Sequence, residues 1–260
     1  MNLARPQTLF DVKGKVALIT GASGAFGAVA AQTLFNAEAK VVLAAGNASA
    51  LAETAAKCGD AIQLNTRPST EADCEAMVAD TVAAHGRLDI LVVASGMNKV
   101  AKIDEMDPAT FDAVMDANVT QIWLLARAAT KQMKVQGDGG KIVFVSSARG
   151  LLGHPAGYTA YCASKSAVDG ITKSLGCELG RTGITVNAIA PTVFRSPLTA
   201  WMFEDNDQAR TVRNEFLNRV PIGRLGEPED LAGPLLFLSS GASDFYTGHV
   251  LYADGGYTAG

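Results

Sequence analysis

Cysteine occurs only four times in 260 residues, at Cys58, Cys74, Cys162 and Cys177, with no C-x-x-C pair. That spacing excludes a disulfide framework or a zinc ribbon and leaves reduced, mostly structural thiols as the expectation. The three histidines are scattered, so the sequence assembles no metal-ligand set and no metal is expected. Positive charge is also short: 22 lysines and arginines stand against 26 acids, a net charge of −4, with no basic run. Nothing there would track a phosphate backbone, which argues against a nucleic-acid partner. No apolar run reaches membrane length, and residues 1–10 lack the apolar core of a leader peptide. Neither a membrane partner nor export is expected, and the location is read as cytoplasmic.

What is present is apolar bulk. Hydrophobic residues make up 48% of the chain, and no Pro-, Ser- or Gly-rich stretch divides it. One large core follows, and a single domain over 1–260. Short β-rich runs at 16–20, 41–44, 61–64, 90–93, 142–145, 185–188 and 250–252 alternate with longer alanine-rich helical patterns. Strands that read as continuous apolar runs, each followed by a helix-length segment, predict an α/β fold. It is a Rossmann-like, doubly wound parallel sheet of about seven strands with helices on both faces. Right-handed crossovers place the strand C-termini along one edge, where ligands bind. Gly21, Ala45, Ala94 to Gly96, Ser147 and Pro191 all fall at that edge. Residues 10–150 are then mainly the dinucleotide-binding part and 145–260 the catalytic part.

The segment 192–219 is less regular. Its Ser196, Pro197, Trp201, Met202 and Phe203 precede the polar run Glu204-Asp205-Asn206-Asp207. A substrate lid near 192–220 and an ordinary surface helix pair fit that pattern equally.

Thr20-Gly21-Ala22-Ser23-Gly24-Ala25-Phe26-Gly27 follows a strand and opens a helix running through Ala37. Gly21 suits a tight turn, backbone N–H groups from Ser23 to Phe26 suit a pyrophosphate at the positive helix end, and Gly27 lets the helix lie close on the sheet. A glycine cluster alone also serves plain turn geometry. Downstream, Tyr161 and Lys165 stand one helical turn apart on the same face. A lysine cation stabilises a phenolate, so the tyrosine pKa is expected to fall toward neutrality, where a general base works. The spacing by itself fits a solvated pair as well.

Taken in order, the turn 20–27, Asn118 in Asn-Val-Thr, Ser146-Ser147 after a strand, Tyr161-x-x-x-Lys165, Val186 to Pro191, and Thr247-Gly248 through Asp254-Gly255-Gly256 carry a resemblance over essentially the full length. The chain resembles a short-chain dehydrogenase/reductase. That resemblance implies an oxidoreductase interconverting a secondary alcohol and a ketone with NAD or NADP, assembled as a homotetramer. The assembly would use the long helices near 111–136 and 161–181, with the C-terminal strand at a second contact. Tyr161 is the implied general acid/base, and Ser147 the hydrogen-bond donor to the substrate oxygen. Lys165 lowers the tyrosine pKa and holds the nicotinamide ribose, and Asn118 anchors a water leading to Lys165. Implied cofactor contacts are Gly21, Ser23, Phe26 and Gly27 at the phosphates, and Ala45, Gly46 and Asn47 at the adenosine ribose. Asn65 and Thr66 stand at the adenine, Ala94 and Gly96 after the fourth strand, and Pro191, Val193 and Ser196 toward the nicotinamide. The alternative is a catalytically silent dinucleotide sensor or scaffold on the same fold. Dehydration or epimerisation fits the glycine spacing but not the regions around Pro191 and Asp254.

Departures from the family pattern are local. Ala25 replaces the middle glycine of the turn while Gly24 appears one position earlier, Val93-Ala94-Ser95-Gly96 replaces Asn-Asn-Ala-Gly, and Thr192 replaces a glycine. At the end of the second strand neither a carboxylate for NAD nor a cation for NADP is present: the positions are Ala45 and Gly46, with Asn47 and Ser49 beyond. The choice between NAD and NADP stays open. On the substrate side Arg149 and His154 are surface residues first. Tyr158, Trp201, Met202 and Phe203 form either an apolar wall for a largely neutral alcohol or plain core. No cluster of cations marks an anionic substrate. Val168, Ile171 and Leu175 make an apolar helix stripe that serves core or interface equally.

Overall fold

The computed structural model describes residues 5–59, 61–196 and 199–260. Residues 1–4 of the N-terminal stretch and Pro197 of the expected lid lie outside them. Seven strands, β1 (Val16–Thr20), β2 (Lys40–Ala44), β3 (Ile62–Leu64), β4 (Ile90–Val93), β5 (Gly140–Val145), β6 (Ile184–Pro191) and β7 (Val250–Ala253), form one sheet in the order β3-β2-β1-β4-β5-β6-β7. Every pairing is parallel. The order reverses between β2-β1 and β4, which opens a crevice beyond the carboxyl ends of β1 and β4.

The strand runs are apolar without interruption because both faces are covered. In β1, Leu18 enters one core while Ala17 and Ile19 enter the other, the two-residue period of a strand with no solvent side. The first core receives Cys74 and Met77 of α3 (Glu71–His85), Ile122 and Leu125 of α5 (Gln121–Gln136), and Val168 of α6 (Thr159–Leu179). Ile171 and Leu175 pack partly buried against it, so the apolar stripe on α6 belongs to the core. The second core receives Ala30 and Leu34 of α1 (Ala25–Asn36), Leu51 of α2 (Ala48–Ala56), and Leu231 and Leu235 of α8 (Glu229–Ser239).

Strand ends differ from expectation by up to three residues. The largest difference is β6, which runs to Pro191 because it pairs on both sides and its last residue meets Ala253 of β7. The helix expected from 111 starts earlier, as α4 (Pro108–Met115), where Asp107 caps the N-terminus by accepting the Thr110 N–H at 2.8 Å. A π turn at Asp116–Thr120 joins α4 to α5 and contains Asn118. The 192–219 segment contains a 3₁₀ turn at Ala200–Phe203 and α7 (Asp207–Leu217), capped by Asn206.

Candidate active site

At the end of β1, Gly21 adopts φ +66°, and a Cβ there would lie 2.6 Å from the Ala94 carbonyl and the Ser95 nitrogen. No other residue fits that turn. Its carbonyl accepts the Gly24 N–H at 2.8 Å, and Gly27 packs so closely beneath it that any Cβ would strike the Gly21 backbone. Gly24 caps α1, which starts at the exposed Ala25, so the departure from the family glycine points into open space. Ser95 braces the end of β1 to that of β4, through a 3.1 Å hydrogen bond between its hydroxyl and that of Thr20.

A cavity of about 520 Å³ opens over this turn. Of the expected cofactor contacts, Gly21, Ser23, Ala45, Gly46, Asn47, Thr66, Ala94 and Gly96 line it. Phe26, Gly27, Asn65, Pro191, Val193 and Ser196 do not. Phe26 packs against the α1 core, Gly27 is buried under the turn, and Asn65 is exposed. The Val193 carbonyl accepts the Gly226 N–H at 3.0 Å, and the Ser196 hydroxyl is 2.8 Å from that of Thr199. A cradle that any side chain would fill, at the positive end of α1, fits the phosphates of a dinucleotide.

The catalytic candidates converge beyond β4 and β5. Ser147 leaves β5 in extended conformation and its hydroxyl accepts the Arg149 N–H at 3.1 Å. The first two turns of α6 bring Tyr161 beside Ser147, whose hydroxyl lowers the phenol pKa, and set Lys165 beneath. The Lys165 ammonium donates to the Val145 carbonyl at 2.8 Å and lies 5.6 Å from the centre of the Tyr161 ring. Asn118 accepts the Met97 N–H at 2.7 Å and donates to the Met97 carbonyl at 2.8 Å and the Ser164 hydroxyl at 2.9 Å. Ser164 in turn donates to the Tyr161 carbonyl at 2.8 Å. Both amide hydrogens of Asn118 are thus spent tying the β4 loop to α6. Gly96 completes the junction, since a Cβ there would meet the Asn118 oxygen at 2.8 Å and Lys165 Nζ at 3.8 Å.

Burial pushes the Tyr161 phenol up, opposed by its hydrogen bond to Ser147 and, more weakly, by the charge of Arg149. The expected lowering by Lys165 is absent, because that ammonium is directed to Val145 and sits over the ring face rather than at the hydroxyl. Burial also lowers Lys165 itself to about 8, against the opposing charge of Asp169. Asp169, one turn on, accepts the Ser146 hydroxyl at 2.5 Å and is pushed up by burial. In the sequence Ser146 stood out only as the neighbour of Ser147, with no role of its own, and Asp169 not at all. The signal was weak: a carboxylate four residues after the lysine on the same face.

The substrate side departs further from expectation. Arg149 is half-buried, donating to the Gly153 carbonyl at 2.8 Å and the Tyr257 hydroxyl at 2.9 Å. Tyr257, directly after Asp254-Gly255-Gly256, is buried, stacked on Phe216 at 5.1 Å, with the Arg219 guanidinium 4.6 Å from its ring centre. His154 packs on Tyr158 at 4.4 Å, and Tyr158 stands edge-on to Tyr161 at 6.2 Å. The His154 pKa is lowered first by burial, then by the charges of Arg149, Arg219 and Lys102. Arg149 and Arg219 both lie over the Tyr257 ring, and Lys102 donates to the Pro155 carbonyl, next to His154 in the chain, at 2.7 Å. Arg149, Arg219 and Lys102 form no ion pair among the described residues. The expected absence of a cation cluster is therefore corrected: its members come from distant segments that fold together. Of the expected apolar wall, Met202 is buried, Trp201 is exposed, and Phe203 lies under the Arg195 guanidinium at 3.9 Å.

The four thiols are free, and burial pushes Cys74 up to about 11, in keeping with a structural role. Among the described residues there is no cluster of metal-ligating side chains and no helix long and apolar enough to cross a membrane.

A phosphate cradle at the switch point, with a serine–tyrosine pair and a buried lysine on the same sheet edge, defines a nicotinamide-dependent oxidoreductase of the doubly wound class. The family model described as enoyl-(acyl carrier protein) reductase matches residues 21–258, and the chain belongs to the short-chain dehydrogenase/reductase family. It is similar to an uncharacterised oxidoreductase of Mycobacterium tuberculosis (strain H37Rv), 52% identical over 100% of this chain and 95% of that protein. It is also similar to the 2-dehydro-3-deoxy-D-gluconate 5-dehydrogenase of Dickeya dadantii, 35% identical over 96% of this chain and 98% of the relative. A gluconate 5-dehydrogenase from Burkholderia cenocepacia J2315, solved in complex with NADP and tartrate, superposes with a TM-score of 0.90. It is 30% identical over 98% of this chain and 100% of its own. The protein is an NAD(P)-dependent oxidoreductase acting on CH–OH groups.

Proposed function

We propose that Tyr161 is the general acid/base, Ser147 the second hydrogen-bond partner of the substrate oxygen, and Lys165 the cation beneath them, acting on a secondary alcohol or ketone that carries a negative charge. The observation that carries the chemistry is the approach of Tyr161 to Ser147 on the edge that holds the phosphate cradle. Nicotinamide, when bound, supplies or accepts the hydride. As ketone becomes alcohol, charge develops on oxygen, and two donors aimed at that oxygen stabilise the transition state more than the ground state. Tyr161 gives up its proton there and Ser147 holds the oxygen in place. Asn118 works by position, tying α6 to the β4 loop so that Lys165 stays under the tyrosine. A water beside Asn118 would then carry protons toward Lys165.

The substrate charge is assigned from Arg149, Arg219 and Lys102 around His154, next to Tyr158 and Tyr161. The relatives named for gluconate-type acids, one of them solved with tartrate, agree with a carboxylate at this mouth. The 192–220 segment then covers the substrate as a lid, with 10–150 holding the dinucleotide and 145–260 the catalytic groups. A cytoplasmic homotetramer fits the four free thiols and two exposed apolar surfaces: Trp123 on α5 is 44% exposed, and Phe245 ahead of β7 is fully exposed.

The test follows reduced-nicotinamide absorbance across hydroxy acids and keto acids paired with their neutral amides. Turnover of the acids is expected, with Arg149→Gln raising KM for them by about 10- to 100-fold, the worth of a charge-assisted hydrogen bond. Equal turnover of acids and amides would refute the anionic substrate. Silence toward every alcohol and ketone despite cofactor binding would favour the sensor instead.

A further inference from the structure

The end of β2 is neutral in sequence but not in space. Gly46 has no side chain, and the volume beside it is taken by Arg67 from the loop after β3. A Cβ built on Gly46 would collide with Arg67 Nε and come within 3.0 Å of its Cγ and 3.2 Å of its Cδ. The guanidinium stem therefore lies across the end of β2, where doubly wound proteins hold the adenosine ribose and its 2′ position. We propose that Arg67 reads the 2′-phosphate of the cofactor and that the protein prefers NADP to NAD. This inference rests on the nicotinamide-dependent function stated above.

Charge and placement support it together. Arg67 is the only cation among the described residues lining the cavity, and the only acid there, Asp116, accepts the Gln121 amide at 2.8 Å. Arg67 makes no ion pair among the described residues. An exposed guanidinium with unspent donors and no acid beside it matches a phosphate in charge and in bidentate geometry. The 2′-hydroxyl of NAD offers only a neutral acceptor at the same place, and the carboxylate that would bind its ribose is replaced by Ala45 and Gly46.

The loop that carries Arg67 is braced. The Leu64 carbonyl accepts N–H groups from Thr66 at 2.8 Å and Ala45 at 3.2 Å, which locks the loop to the end of β2. The Arg67 carbonyl accepts the Ser69 N–H at 2.8 Å. Pro68 is buried, and its carbonyl accepts the Cys74 thiol at 3.7 Å. Only the side chain of Arg67 has to be ordered when a phosphate arrives, so little of the interaction is lost to loop entropy. Asn47, the remaining polar side chain at the end of β2, has its oxygen committed to the Ala50 N–H at 3.2 Å and keeps its amide hydrogens for the ligand.

The competing role for Arg67 is to stack on the adenine face, which would serve both cofactors alike. The full-length protein is titrated with NADPH and with NADH, following nucleotide fluorescence, and 2′,5′-ADP is compared with 5′-AMP as competitor. The expected result is NADPH bound at least about tenfold more tightly than NADH, and 2′,5′-ADP displacing it better than 5′-AMP. In Arg67→Gln the ratio of the two affinities falls toward one, and Arg67→Lys retains part of it. A wild-type preference for NADH, or a ratio unchanged in Arg67→Gln, overturns the assignment. If the wild type binds neither nucleotide, the nicotinamide-dependent function itself falls, along with this inference.

Discussion

At the amino-terminal end of the sheet, Lys13, Arg87 and Lys141 are met by acids from neighbouring connections, while Lys15, Lys40 and Arg181 make no ion pair among the described residues. Lys13 before β1 pairs with Glu38 before β2 at 2.5 Å, and Lys141 at the start of β5 pairs with Asp244 before β7 at 2.8 Å. Arg87 before β4 bridges Asp89 at 2.6 Å and Asp138 at 3.1 Å. At the carboxyl end, Arg67 after β3, Lys102 after β4, Arg149 after β5 and Arg219 after α7 have no acid partner among the described residues. The exceptions there are Arg195, Arg210 and Arg224, in the connection from β6 to α8, which pair with Glu227, with Asp205 and Asp207, and with Asp230. At the first end the paired cations bridge connections that only have to hold the fold. The other leaves several cations open, where the proposed cofactor phosphate and anionic substrate would arrive on the two sides of the crevice.

The sharpest way to break this comparison is at the chemistry. Tyr161→Phe removes the phenol beside Ser147 and should lower turnover by about 10³-fold, the range of general acid/base catalysis, with the fold intact by circular dichroism. Retained turnover in steady-state assays would disprove the role.

A smaller effect of opposite kind is expected at the other end. Asp89 accepts the Val16 N–H at 2.9 Å and the Arg87 guanidinium, and its side chain is 9% exposed. Asp89→Asn should cost about 1–3 kcal/mol in urea unfolding while kcat stays at the wild-type level. A loss of activity without loss of stability would blur the division between the ends.

The smallest effect is a shift in pH dependence. Asp169 holds Lys165 up against burial, so Asp169→Asn should move the lysine below about 8. It should also move the matching inflection of kcat/KM to lower pH. The wild-type lysine titrates lower folded than unfolded, from 10.5 to about 8. The unfolded chain therefore binds more protons between those values, and the contribution of Lys165 to stability rises as pH climbs through that window. Unfolding in urea at both ends of the window, against Lys165→Met, measures it. An unchanged inflection in Asp169→Asn would remove Asp169 from the account.

The sheet was legible because each strand is buried on both faces and reads as an unbroken apolar run, and Tyr161 and Lys165 because one helix carries both. Ser147 and Asn118 followed from the family pattern. Arg67, Arg149, Arg219 and Tyr257 were not legible as a set, since no local period links positions 67, 149, 219 and 257. A cation signals an anion site only when its spatial neighbours lack acids, which a sequence does not list. The lowered tyrosine pKa was overestimated for the same reason: spacing places Lys165 on the right face of α6, and only packing shows its ammonium turned to Val145.

The amino-acid sequence by itself determined the parallel sheet, the glycine turn that only Gly21 and Gly27 can make, and the placing of Tyr161 and Lys165 on one helix face, because these depend on local periodicity and on side chains close along the chain. The tertiary structure decided which charges stand unpaired. It brought Arg67 over the bare Gly46 and gathered Arg149 and Arg219 on the buried Tyr257, contacts between segments far apart in the chain that form only when the whole sheet has closed around its two cores.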